Sequence, residues 1–260
     1  MQKSFMSRFK GMSFRHDQIP TVFFTHPTVA ACLEAVSVLV DSTYDRRLWQ
    51  LKLAHPLSSL VELTICRYPA TTRYWSPEFY LSRLLSVTPH LRRLKLNIFC
   101  ASRSVKRIFE RCLHLNYVKV VLESPTRQND SLVSSVAAIH YRLRFLLQEF
   151  VTQLSSIDLN RSICICVGSC LTKHICLSQS PHILASFENI ISARKNVNFR
   201  WELCREDVES FMQTKSFCVG FVSSHVRLSI NEGLQVCEMR HKSQIGNVHC
   251  PPVWKMQPVR

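Results

Sequence analysis

Along this chain aliphatic residues recur in one spacing: a Leu, two residues, an aliphatic residue, one residue, another aliphatic. Copies stand at Leu33/Val36/Val38, Leu60/Leu63/Ile65, Leu91/Leu94/Leu96, Leu115/Val118/Val120 and Leu154/Ile157/Leu159. They start 27, 31, 24 and 39 residues apart. The last two aliphatics of each copy lie two residues apart, which suits one face of a strand. Recurrence at intervals of this size predicts one short strand per unit, each unit stacked on the next.

Helical periodicity fills the gaps between copies. Ser76-Pro77-Glu78 combines an N-cap, a proline at the first helical position and an acid at the positive dipole end. Leu81, Leu84 and Leu85 follow on one face, and Pro89 ends the helix. Val105, Ile108, Phe109 and Cys112 form a second stripe; Leu143, Leu146, Leu147, Phe150, Val151 and Leu154 form a third. Helix, short turn and strand therefore make the unit. One unit alone cannot bury both its helix stripe and its strand face, so stacking must supply the missing partner.

After residue 162 the rhythm changes. Ile163, Ile165 and Val167 alternate with Cys164, Cys166 and Gly168, as in a strand with one apolar face. Ser180-Pro181 opens a helix carrying Ile183, Leu184, Phe187, Ile190 and Ile191, and Val197, Phe199, Trp201 and Leu203 alternate as a strand. A short helix is expected at 207–214, with strands near 217–222 and 226–230. The expected fold is α/β: an irregular leucine-rich-repeat solenoid with parallel strands on its concave side and helices outside. Residues 1–20 read as a basic flexible segment, 21–162 as the repeat array, 163–235 as its continuation or an α/β cap, and 236–260 as a flexible basic tail.

Composition narrows the function classes. Hydrophobic residues make up 46% and charged residues 20%, enough apolar surface for a sizeable core. With 5 Gly the chain is poor in the residue that phosphate-cradling loops require. Twelve Cys sit mostly inside apolar runs, where a free thiol behaves as a small hydrophobe; this points to a reducing compartment, cytoplasm or nucleus. No run of about 18 apolar residues marks a membrane span. The formal charge of +15 is spread along the chain. It fits a soluble basic surface or an electropositive face for an acidic partner, nucleic acid or an anionic membrane, and it leaves a basic nucleic-acid- or ribonucleoprotein-associated factor as the alternative function. Lys3, Arg8, Lys10 and Arg15, with Phe5, Phe9 and Met12 at helical spacing, fit either a flexible basic tail or a targeting leader at residues 1–16.

Residues 111–120, Arg-Cys-Leu-His-Leu-Asn-Tyr-Val-Lys-Val, resemble the helix-to-strand junction of the cysteine-containing leucine-rich repeats found in many F-box proteins. Residues 88–96, Thr-Pro-His-Leu-Arg-Arg-Leu-Lys-Leu, are similar with Thr in place of Cys, and Cys32–Val38 is a shorter echo. The resemblance covers residues 28–160, and 181–203 more loosely. It departs from the pattern where an Asn or Cys should follow the strand: Phe99 and Ser162 stand there. Ile19-Pro20 is the one counterpart of an F-box entry. Asp45-Arg46-Arg47-Leu48-Trp49 is similar to the end of an F-box, but it lies after the first repeat strand. The resemblance implies a protein-interaction scaffold, the substrate receptor of a cullin-type ubiquitin ligase, with the ligase adaptor as a partner if an F-box exists.

On such strands the residues between the aliphatics face the concave surface. Glu62 and Thr64, Arg93 and Lys95, Tyr117 and Lys119, and Ser156 and Asp158 then become neighbours in successive rungs. Glu62, Thr64, Arg93, Lys95, Tyr117, Lys119 and Asp158 are the candidate partner-binding residues. The middle rungs form a basic patch with one aromatic, suited to an acidic or phosphorylated protein segment. Cys164, Cys166, Cys170, His174 and Cys176 form the densest set of potential zinc ligands, and Cys237, His241, His249 and Cys250 a looser one. Buried thiols account equally for both, and no cofactor is expected. No Gly-x-Ser-x-Gly elbow, His-Glu-x-x-His pair or P-loop is present, so no catalytic residue is assigned.

Overall fold

The computed structural model describes residues 11–15, 27–40, 56–67, 85–122, 136–169, 181–203, 224–231 and 234–241. Among these residues nine strands form one sheet: β1 (Gly11–Arg15), β2 (Ala35–Val40), β3 (Glu62–Arg67), β4 (Arg93–Asn97), β5 (Tyr117–Leu122), β6 (Ile163–Ser169), β7 (Val197–Leu203), β8 (Ser224–Asn231) and β9 (Leu234–His241). Among the described residues four helices accompany them: α1 (Pro27–Cys32), α2 (Ile98–Arg111), α3 (Val136–Ser155) and α4 (Pro181–Ala193). From β1 to β7 the strands lie side by side in chain order through six consecutive parallel pairings. The last two reverse the pattern, with β9 antiparallel to both β7 and β8. The fold is α/β with a mainly parallel sheet.

The register aligns the first four predicted rungs. Val36, Leu63, Leu94 and Val118 pair across β2 to β5, and the row continues to Ile165 and Phe199. Val38, Ile65, Leu96 and Val120 form the next row, which continues to Val167 and Trp201. Leu63, Leu94, Val118, Ile165 and Phe199 are buried in one core with the helix stripes. Val105, Ile108 and Phe109 of α2, the six stripe residues from Leu143 to Leu154, and Phe187, Ile190 and Ile191 of α4 all belong to it. Phe187 and Phe199 meet edge to face, 4.1 Å between ring centroids. The helices thus cover one face of the sheet.

Backbone bonds repeat with the units. The N–H groups of Leu60, Leu91, Leu115, Ile157 and Val197 donate to the carbonyls of Leu57, Thr88, Cys112, Leu154 and Arg194 at 3.1–3.3 Å. Each closes the turn that brings the chain toward the next strand. The carbonyl of Glu34 accepts from both Val61 and Glu62; Val61 accepts from Arg92 and Arg93, and Arg92 from Asn116 and Tyr117. Arginines from following segments cover helix C-termini, where carbonyls have no helical donor. Arg194 donates to the Leu154 and Ser155 carbonyls at 3.0 and 2.6 Å, and Arg161 to that of Phe109 at 3.0 Å.

The fifth expected rung is corrected. Leu154 lies in the last turn of α3 rather than at the head of a strand, and Ile157 and Leu159 sit in the connection after it. The fifth of the pattern-bearing units instead sends β6 into the sheet, with Ile165 and Val167 in the rung positions. The Leu154 turn forms as in the other units, but residues 158–162 intervene before the strand. Asn196 Nδ2 holds that excursion, donating to the carbonyls of Leu159 at 2.8 Å and Arg161 at 2.7 Å. β1 lies inside residues 1–20, and β9 continues past residue 236 to His241. The proposed helix start at 76–78, the 45–49 segment, the helix at 207–214 and the strand near 217–222 lie outside the described residues. No helix among the described residues is long and apolar enough to cross a membrane.

Candidate protein-binding face

Side chains alternate across a strand, so the residues between the core aliphatics occupy the face away from the helices. One row there runs Glu62, Arg93, Tyr117, Cys164, Asn198; the next runs Thr64, Lys95, Lys119, Cys166, Arg200. Six of the seven candidate residues therefore lie in adjacent positions, as expected. Asp158 does not. It is exposed in the connection after α3, accepting from Asn160 Nδ2 at 2.9 Å, because the chain there has not yet reached the sheet.

The face has two contrasting halves. Across β3 and β4, Glu62, Arg93 and Lys95 are half-buried around a buried Thr64. Arg93 Nη1 lies 3.8 Å from Glu62 Oε2, with the two side chains 41% and 27% exposed. Burial raises the Glu62 carboxyl above its ordinary range, while Arg93 and then Lys95 pull it back. Two cations around one carboxylate leave this half with surplus positive charge.

Across β5 to β7 the same face is closed. Tyr117, Lys119, Cys164, Cys166, Asn198 and Arg200 are all buried. Lys119 Nζ donates to Glu202 Oε1 at 2.5 Å, both side chains 9% exposed. The two residues stand on β5 and β7, with β6 between them, and Gly168 makes the meeting possible. A Cβ at Gly168 would run into the Glu202 carboxylate and press on Lys119 Cε at 3.1 Å. Cys166 Sγ lies 3.8 Å from Glu202 Oε1 and shares a hydrogen bond with the Tyr117 hydroxyl. Tyr117, Cys166, Glu202 and Lys119 thus form a connected buried network.

The thiols here do not suit nucleophilic work. Burial pushes Cys166 up to about 12, with Glu202 adding to the rise, so it stays protonated at neutral pH. Cys112, under the turn after α2, is pushed to about 12 by burial as well. Cys164 and Cys166 share one sheet face and pack with Tyr117. Among the described residues no group of three His, Cys, Asp or Glu has the arrangement of a metal site. Cys170, His174, Cys176, His249 and Cys250 lie outside them.

Asn198, Arg200, Glu202 and Gly168 were not singled out from the sequence. Their signal was available in part: once Val197, Phe199 and Trp201 are read as the core side of a strand, Asn198, Arg200 and Glu202 must take the other. What the pattern did not carry is the partner of Glu202, 83 residues away. Comparison with known proteins adds no name to this arrangement: no protein-family model matches the chain, and no curated protein matches it.

Proposed function

We propose that this chain is a protein-interaction scaffold, an irregular leucine-rich-repeat solenoid that binds its partner on the sheet face away from the helices. The observation that carries the reading is the half-exposed cluster of Glu62, Arg93 and Lys95, set in register on neighbouring strands with net positive charge. Arg can grip a carboxylate or phosphate through two parallel hydrogen bonds, and Lys adds a second cation beside it. An acidic or phosphorylated protein segment fits that chemistry. The chain-order parallel strands and the recurring turn bond support the repeat reading. The resemblance to F-box repeats makes the partner a target of a cullin-type ubiquitin ligase, met in the cytoplasm or nucleus. The free thiols of Cys32, Cys112, Cys164 and Cys166 suit such a reducing compartment.

The test uses the full chain and an Arg93→Glu/Lys95→Glu variant. Affinity capture with the unaltered chain recovers the ligase adaptor and cullin together with a target protein. The variant keeps its melting temperature and loses the target. If the target remains bound, the patch is not the interface. If adaptor and cullin are both absent and RNA is recovered in a salt-sensitive way, the +15 charge serves nucleic acid instead. Lys119 is left untouched, because reversing it would strand Glu202 and confuse binding with unfolding.

A further inference from the structure

We propose that His90 and His114 form a two-histidine site for a divalent transition-metal cation of the zinc class, on the rim where the helices turn into the strands. The two residues hold matching places in consecutive units. His90 precedes Leu91 in residues 88–91, Thr-Pro-His-Leu, and His114 precedes Leu115 in residues 112–115, Cys-Leu-His-Leu. The units on either side carry Ser59 and Ser156 at this place, so the pair is confined to two adjoining turns. Both turns are closed by the same backbone bond, from Leu91 to Thr88 at 3.3 Å and from Leu115 to Cys112 at 3.1 Å. Each His stands three residues before a member of one strand pair, Arg93 and Tyr117, and the Asn116 N–H donates to the Arg92 carbonyl at 2.9 Å. The strand pairing therefore sets the two rings abreast, one strand spacing apart.

The ring centroids lie 5.5 Å apart with their planes tilted by 41°. An imidazole nitrogen binds zinc at about 2.0–2.1 Å, which puts each ring centre about 3.2 Å from the metal. Two rings on one ion, at N–metal–N angles of about 90–120°, then have their centres about 4.5–5.5 Å apart. The observed separation meets the wide end of that span. Both histidines are exposed and neither belongs to the core, so apolar burial does not account for their meeting. Among the described residues neither ring has a hydrogen-bond partner, which leaves its nitrogens open to a ligand. Exposure lets the ion enter and keeps water in its remaining positions, unlike the closed four-ligand sites that hold structural zinc. Two rings fixed side by side make the second metal–nitrogen bond an intramolecular event, and that is the gain over a lone histidine. The site uses neither Arg93 nor Lys95, so it stands apart from the protein-binding reading.

The probe is zinc chloride, titrated into the full chain with its thiols reduced, at neutral pH, and followed by calorimetry. His90→Ala and His114→Ala, each made alone, should weaken the same single equivalent of zinc by about tenfold or more, because each leaves one ligand where there were two. Zinc held by thiols elsewhere in the chain is common to all three proteins and drops out of the comparison. Magnesium in excess should not displace the ion, since it seeks oxygen ligands. Both side chains are exposed, so without metal the variants should melt with the unaltered chain. Zinc should then raise the melting temperature of the unaltered chain more than that of either variant. Should an alanine variant melt lower, His90→Gln or His114→Gln repeats the titration with a polar side chain kept in place. Unchanged zinc affinity in both variants overturns the site, and a loss in one alone reduces it to a single histidine and overturns the pair.

Discussion

The two halves of one sheet face handle charge in opposite ways. Over β3 and β4 the cations keep access to water, and their carboxylate partner sits at a loose 3.8 Å. Over β5 to β7 the cation is buried and tied to Glu202. An exposed pair of the first kind is worth about 0–1 kcal/mol. Breaking a buried pair of the second kind by removing one partner typically costs about 3–5 kcal/mol. Lys95 and Lys119, partners in register on neighbouring strands, therefore sit in different settings. Arg93 and Lys95 stay half-exposed, whereas Lys119 is buried and tied to Glu202 across β6.

Four substitutions, with Glu202→Leu added as a rescue, sharpen that contrast, beginning below both halves. Leu94→Asp places an unpaired charge in the stacked core, where Leu94 is fully buried between Leu63 and Val118. Cooperative thermal unfolding should disappear, and a soluble variant with a normal melt would break the rung assignment. Lys119→Met leaves the Glu202 carboxylate buried and unpaired. Denaturant titration should show a loss of about 3–5 kcal/mol, largely recovered when Glu202→Leu is added. Gly168→Ala introduces the Cβ for which no room exists, so a loss of about 1–3 kcal/mol is expected, with most of it absent in the Lys119→Met/Glu202→Leu background.

The smallest effect belongs to the open half. Burial raises the Glu62 carboxyl, so the folded chain holds that proton more tightly than the unfolded chain. The stabilising contribution is present below the unfolded value and is lost as pH rises through the folded one. At neutral pH Glu62→Gln should melt at or slightly above the unaltered chain. The gap should close as pH falls through the carboxylate range. A gap that widens on acidification would mean that Arg93 and Lys95, not burial, dominate at Glu62.

The rungs at Val36, Leu63, Leu94 and Val118 were legible because each begins with a Leu and continues with two aliphatics on one strand face, and in the last three that Leu closes a turn. Leu154 carried the same spacing and misled, since it is also the last member of the α3 stripe. A Leu shared by two periodicities cannot say where the helix ends. β6 was recognisable as a strand from Ile163, Ile165 and Val167, yet not as the next rung, because residues 158–162 displace it from the expected interval. On the face away from the helices, strand alternation placed Arg93, Lys95, Tyr117 and Lys119 side by side, as the register shows. The setting of Lys119 was hidden, since its partner Glu202 lies two strands and 83 residues away and meets it beside a glycine.

The two bonds from Asn196 to Leu159 and Arg161 have a wider consequence. They let the chain wander for several residues and still rejoin the sheet at the correct height. Linear distance between units is thereby decoupled from their vertical alignment. Insertions at that bend should leave the neighbouring strands undisturbed, so long as one amide remains to gather the loose carbonyls.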